Sequence, residues 1–411
     1  GLDWLDGTWE LVAQDIVLQY GKLGRLDIAP GASKVVKLPL QVPDVNGEVF
    51  LNVSFELKHD TLWAQAGHEA AWEQFALPLA ATPHIHDDDD DECECGNDCD
   101  DGCDCNDDCD CDCARLELVD GENEAVIRGE DFELVFDKTD GKIASLTFQG
   151  VELIMGGPAL NAWRAATDND GFKMWPEAPG KLLGQWLAAG LDRLQHRVES
   201  VEVGWAVPHH IICITAATRV QAEECAGGFH HLHTYTIDSD GEVVIENEIW
   251  ADPTLPPLPR IGLTMSLPAG FEGFSWYGRG PHENYIDRNA GAQVGVYCST
   301  VDEQYVPYIM PQECGNKTDV RWAVLSNEQG VGLMVTAPEL MEVSALHYTA
   351  DDLYKAFHTN ELVRRPETIL NIDYRQCGLG GASCGPMTRP EYLLQPGSYT
   401  FTVHLRPFGQ P

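Results

Sequence analysis

Apolar and polar residues alternate with a period of two along most of the chain, and Gly, Asp and Pro punctuate the runs, which predicts strands joined by tight turns. Tyr399, Phe401, Val403 and Leu405 share one face near the C-terminus. Phe132, Leu134 and Phe136 alternate up to Asp137-Lys138-Thr139-Asp140-Gly141, and the pattern resumes from Ile143 to Phe148, predicting a hairpin. Thr234 to Ile237, then Asp238-Ser239-Asp240-Gly241, then Glu242 to Trp250 repeat the device. Helical spacing occurs only over Leu183, Trp186, Leu187, Gly190, Leu191 and Leu194, where the glycines weaken it.

The period breaks completely between Asp87 and Cys113, a low-complexity run of 13 Asp, 2 Glu, 8 Cys, 2 Gly and 2 Asn. It divides the chain into an expected immunoglobulin-like sandwich at 1–86, short by about one strand, the acidic insert at 87–113, and a much larger β-sandwich at 114–411. The predicted fold class is all-β. Cys93, Cys95, Cys99, Cys103, Cys105, Cys109, Cys111 and Cys113 follow C-x-C and C-x3-C spacings rather than paired zinc-ribbon knuckles. Three readings stay open: a disulfide-stapled loop, a thiolate and carboxylate cation trap, and a solvated acidic loop with incidental thiols. None of them bears on catalysis. The remaining cysteines, at 213, 225, 298, 314, 377 and 384, are scattered singly and read as buried thiols.

With 66 Asp+Glu against 26 Lys+Arg the formal charge is −40, and removing the 15 acids of the insert still leaves 51 acids against 26 bases. Such a field repels phosphate backbones and anionic membrane surfaces, so nucleic acid and membrane are not expected partners. No run of about 18 apolar residues predicts a membrane span. The start at Gly1-Leu2-Asp3-Trp4, without Met or a basic-then-apolar leader, suggests processing, a tag scar or a piece of something longer. Sequons at Asn52 and Asn316 permit glycosylation without demanding it.

Four segments concentrate chemistry. Asn161-Ala162-Trp163-Arg164-Ala165-Ala166-Thr167-Asp168-Asn169-Asp170-Gly171 sets fixed oxygens beside an indole and a guanidinium. Sugars are held by such groups, through bidentate hydrogen bonds to adjacent hydroxyls and an aromatic face on the C–H side of the ring; an ordinary Asx-rich turn has the same spacing. Trp276-Tyr277-Gly278-Arg279-Gly280-Pro281-His282-Glu283-Asn284-Tyr285-Ile286-Asp287-Arg288 suits either a rigid polar loop at a site or a structural salt-bridge network. The third is Pro311-Gln312-Glu313-Cys314-Gly315-Asn316-Lys317-Thr318-Asp319-Val320-Arg321-Trp322. The fourth, Cys377-Gly378-Leu379-Gly380-Gly381-Ala382-Ser383-Cys384-Gly385-Pro386, is rich in glycine but lacks the lysine and following helix of a phosphate-binding loop.

In this order the four segments resemble the C-terminal half of the family 2 β-galactosidases. Ala66-Gly67-His68-Glu69-Ala70-Ala71-Trp72-Glu73-Gln74-Phe75 and Ile28-Ala29-Pro30-Gly31 look like parts of that family's fourth domain. The resemblance implies a truncated immunoglobulin-like unit followed by a galactose-mutarotase-like supersandwich. It also implies a substrate-binding set of Arg164, Asp168, Asn169, Asp170, His282, Glu283, Asn284 and Cys384, in which the first four shape a galactose pocket and His282, Glu283 and Asn284 hold a polar loop near a domain contact. Departures are Ala166 in place of a frequent proline and Cys314 where asparagine is common. Cys384 lies in the loop where some members carry a stacking tryptophan, so a stacking platform is not expected here.

In that family both catalytic glutamates belong to a (β/α)8 barrel, and eight alternating strands and helices need about 250 residues with a helical signal this sequence lacks. The resemblance therefore implies no catalytic residue and no cofactor in this chain, with Mg and Na in the barrel-bearing part. The leading expectation is a non-catalytic portion or small subunit of a retaining β-galactosidase, completing the sugar site of a barrel-bearing partner in an oligomeric assembly. The alternative is a carbohydrate-binding or structural module without hydrolase activity. An autonomous epimerase using His282 and Glu283 is disfavoured, because neighbours in a strand project to opposite sides. The family default is cytoplasmic, whereas the sequons and cysteine insert lean toward a secreted or other oxidising compartment.

Overall fold

The computed structural model describes residues 1–41, 43, 45, 47–78 and 115–409, which fall into two units, Gly1–Asp112 and Cys113–Pro411. The acidic insert, with its eight cysteines from Cys93 to Cys113, lies outside the described residues.

In the first unit β1 (Leu5–Ala13), β2 (Ile16–Lys22), β3 (Phe50–Leu57) and β4 (Glu69–Ala76) form one antiparallel sheet in the order β2-β1-β3-β4. Period two decides which side chains are buried: Leu5, Trp9 and Leu11 of β1 pack inward while Asp6 and Glu10 face water. The sheet corresponds to the truncated immunoglobulin-like half expected from the sequence.

The second unit stacks two antiparallel sheets. The smaller runs in sequence order through β5 (Glu117–Asp120), β6 (Glu124–Arg128), β7 (Phe132–Asp137), β8 (Lys142–Phe148) and β9 (Val151–Ile154). The larger contains β10 (Gly156–Asn161), β11 (Gln195–Val207), β12 (Ile211–Gln221), β13 (Phe229–Ile237), β14 (Val243–Ala251) and β15 (Arg260–Leu267). It continues with β16 (Gly273–Gly280), β17 (Gln293–Thr300), β18 (Lys317–Ser326), β19 (Gly332–Leu346), β20 (Thr368–Gln376) and β21 (Ser398–Phe408). Its order is β10-β15-β20-β19-β21-β14-β13-β12-β11, with β18, β16 and β17 branching from β19.

Both predicted hairpins form: β7 pairs with β8 and β13 with β14. Their inward faces meet across the sandwich, where Phe136 and Tyr235 contact edge to face at 5.1 Å. One continuous core joins Leu134, Phe136 and Ile143 of the small sheet to Ile214, Ile245, Val403 and Leu405 of the large one. The all-β supersandwich expected from the sequence is the architecture observed.

The one predicted helical stretch folds as α1 (Leu182–Ala188), burying Leu182, Leu183 and Trp186. Gly190, at φ 74°, terminates it, because an αL residue there costs least without a Cβ. A second helix, α2 (Ala350–Lys355), was not anticipated. Its signal was local: Thr349 and Asp352 form a capping box, two reciprocal side-chain to backbone bonds. Among the described residues no helix is long and apolar enough to cross a membrane.

Candidate functional site

The four chemistry-bearing segments converge on one region of the second unit. The loop after β10 is closed from within: Arg164 Nη2 donates to Asp170 Oδ1 at 2.7 Å and Arg164 Nε to Asp170 Oδ2 at 3.2 Å. Asp170 Oδ2 also accepts from the Thr167 amide at 2.9 Å and the Thr167 hydroxyl at 3.0 Å. Arg164 is 0% exposed and Asp170 1%, so both are committed to the interior. Burial opposes the guanidinium charge most strongly, but Asp170, Cys377 and Glu313 together outweigh it and hold the Arg164 pKa above its ordinary value.

Arg164 then reaches the glycine-rich segment through the carbonyls of Cys377 and Gly378. Asn169 spans to the same segment, donating to Gly380 O at 2.8 Å and accepting from the Ser383 amide at 3.0 Å. On the other side the Glu313 amide donates to Ala165 O at 2.9 Å and the Asp168 amide to Gln312 Oε1 at 3.1 Å. What remains facing solvent is a rim of Asp168, Ser383 and Cys384, with Asn169 half-buried between.

The segment after β16 is tied in by carboxylates. Asp287 accepts from the amides of Leu379 and Gly380 at 2.9 and 2.7 Å. Glu283 accepts from the Gly315 amide at 2.8 Å, from Arg288 Nη2 at 2.7 Å and from the Tyr308 hydroxyl. Asn284, fully buried, accepts from the Thr318 amide at 2.8 Å and receives Asn316 Nδ2 on its carbonyl at 3.0 Å. His282 is exposed beside it and lines a cleft of about 540 Å³ with Glu283, Asp287, Arg288 and Tyr392. The salt-bridge reading of this segment is the one the contacts bear out: Arg288 pairs with Glu283, and Arg279 with Asp319.

Beneath the loops lies a buried charge network that sequence reasoning missed. Arg260 Nε donates to Asp373 Oδ1 at 3.0 Å and Arg260 Nη1 to Glu313 Oε1 at 3.2 Å. Gln376 Nε2 bridges Glu313, Asn316 and Asp373, and Glu342 accepts from Asn316 Nδ2 at 2.8 Å. Burial pushes the carboxyl groups of Glu313 and Asp373 up, with Arg260 pulling against it. Burial first and Asp373 second push Glu342 up to about 8 against the pull of Asn316, the Gln376 amide and Arg260, so it holds its proton at neutral pH. Lys173 was also missed: it closes the back of the loop on the carbonyls of Leu353 at 2.5 Å, Ala356 at 3.0 Å and Pro311.

Two expectations need correction. Asn316 is 0% exposed with its amide nitrogen bonded inward, so the sequon there is closed to a glycan. Of the scattered cysteines, Cys314 and Cys377 are buried, but Cys298 and Cys384 are exposed. The one triad among the described residues with metal-ligand spacing, Glu272, Asp302 and His347, is filled by Arg364, which bonds both carboxylates.

The stacked sheets and their converged polar loops define a β-supersandwich module. The family described as "Beta galactosidase small chain" matches residues 128–405, and "Beta-galactosidase, domain 4" matches residues 1–78. The chain belongs to this β-galactosidase family. A β-galactosidase of Priestia megaterium is 35% identical over 93% of this chain and 34% of its own length. One from Halalkalibacterium halodurans is 32% identical over 85% of the chain and 32% of its own length. Among solved structures, a galactose 1-epimerase from Lactobacillus acidophilus NCFM aligns over 73% of this chain and 100% of its own, at 9% identity and a TM-score of 0.38. The chain spans about a third of the length of the curated relatives it matches.

Proposed function

We propose that this chain is a carbohydrate-binding and structural β-sandwich module without hydrolase activity of its own, which completes the sugar site of a barrel-bearing part hydrolysing terminal β-D-galactosides. The observation that carries the reading is the convergence of four distant segments on a small exposed rim. Asp168 and the Ser383–Cys384 edge face solvent there, while Arg164, Asp170 and Asn169 are spent on holding that rim still, and Asn284 and Glu283 tie the neighbouring segments together. Preorganised groups of this kind orient a ring for attack by residues elsewhere, because the ordering entropy is met before the sugar arrives. Mg and Na belong, in this reading, to the barrel-bearing part, and the working form is an oligomeric assembly.

The structural half of the reading is supported by the bonds that commit Arg164, Asp170, Glu283 and Asn284 to neighbouring segments. The test is an assay on a chromogenic galactoside, first with the chain alone and then with the barrel-bearing part added. Hydrolysis only in the mixture supports completion of the site. Galactose binding with no hydrolysis in either arm reduces the function to the module itself, and turnover by the isolated chain at an enzymatic rate rejects both.

A further inference from the structure

Lys317 opens β18 and is 1% exposed, yet its ammonium has a single hydrogen-bond acceptor among the described residues, Gly315 O at 3.1 Å. Its other neighbour is the face of Trp276, 5.0 Å from Nζ to the ring centroid. Lys317 lines a pocket of about 390 Å³ whose wall also includes Trp276, Tyr297, Ser299, Glu303 and Gln304. Its one bond holds the carbonyl of Gly315, whose amide is held by Glu283. A buried ammonium with one acceptor is underpaired, and burial accordingly pulls its pKa down to about 8, although Glu283 acts in the opposite direction.

The pocket's chemistry selects what could meet that amine. Glu283 and Glu303 both line it, so an anionic ligand faces two carboxylates and is disfavoured. A cationic ligand faces Lys317 itself. A small neutral molecule with a carbonyl carbon and hydroxyl groups suits the mixed aromatic and hydrogen-bonding wall.

We propose that Lys317 is an amine nucleophile that captures small neutral aldehydes, including short open-chain aldoses, in the pocket beside Trp276. The free amine attacks the carbonyl carbon, the C=O π pair moves to oxygen, and proton transfer gives a carbinolamine. Loss of one water leaves the imine, so amine and aldehyde yield imine plus water with no redox change. This role is independent of the galactoside reading and stands or falls separately from it.

The test uses the whole folded chain with glycolaldehyde as probe and cyanoborohydride added as the hydride source that fixes any imine as a secondary amine. Peptide mapping by mass spectrometry at pH 7 then compares Lys317 with exposed Lys34 and Lys37 in the same sample. The expected result is labelling of Lys317 at least roughly tenfold faster than either reference, since burial lowers the pKa of this amine and leaves more of it neutral at pH 7. The preference is lost when the chain is labelled in denaturant. Equal rates in the folded chain, or no adduct at Lys317, overturn the proposal.

Discussion

Arg164 and Asp170 grip each other through two parallel N–H···O bonds across a six-residue loop, with neither side chain reaching solvent. The pair sets the curvature that turns Asp168 outward, and it links the loop to Cys377 and Gly378 from a strand end 213 positions away in sequence.

Asp170→Asn leaves the Arg164 charge buried with half its partner. The expected loss is about 3–5 kcal/mol of unfolding free energy, read from urea denaturation of the chain. A loss under about 1 kcal/mol means that solvent reaches the pair.

Asn169→Ala removes both bonds to the glycine-rich segment while leaving the core intact. The expected signature is faster hydrogen exchange at the Ser383 amide and a stability cost of roughly 1–3 kcal/mol. Unchanged exchange at Ser383 rules out Asn169 as the strap.

Asp168→Ala changes the exposed rim alone. In the reconstituted enzyme, kcat/KM is expected to fall roughly tenfold or more with little change in the melting temperature. A neutral result removes Asp168 from the sugar site.

Glu342 gives the fold a cost in alkali. Its carboxyl is neutral in the folded state up to about pH 8, whereas the unfolded chain releases that proton near pH 4.5. Stability therefore falls as pH rises between those values, by about 1.4 kcal/mol per pH unit for this one group, and levels off above. Glu342→Gln should remove that slope in denaturation curves taken at pH 5, 6, 7 and 8.

Histidines give the opposite slope in acid. His231 is stacked on His233 at 4.3 Å, and burial holds His231 down to about 4 and His233 well below its usual value, despite the Asn247 bond that favours the charged form of His231. His196, Asp140 and Lys142 line the same cavity. Below about pH 6.5 the unfolded chain takes up protons that these rings refuse, so stability drops from there toward pH 4. Replacing both by Gln should flatten the acid limb of a pH–stability curve.

Much of the architecture was legible because strands exposed on one face write their burial as period two. The 132–148 and 234–250 hairpins could be placed from turn residues alone. Helix α2 escaped because six residues give too short a period, although Thr349 and Asp352 carried the cap. The four polar segments were visible as separate clusters, and only folding could bring them together. Arg260 and Asp373, 113 positions apart, have no local signature: each sits in an ordinary strand, and their pairing comes from the register of β15 against β20. The same holds for Glu342, whose retained proton depends on Asp373 and Gln376 of β20, Arg260 of β15 and Asn316 just before β18.

Strand β21 lies in the middle of the large sheet, hydrogen-bonded to β14 on one side and β19 on the other. During synthesis, therefore, the strands on either flank emerge from the ribosome with a vacancy between them, and the sheet closes only after residues 398–408 have cleared the exit tunnel. Loss of residues 398–408 would split this sheet at its centre rather than trim its border, and quality-control proteases would meet two open edges instead of a finished domain.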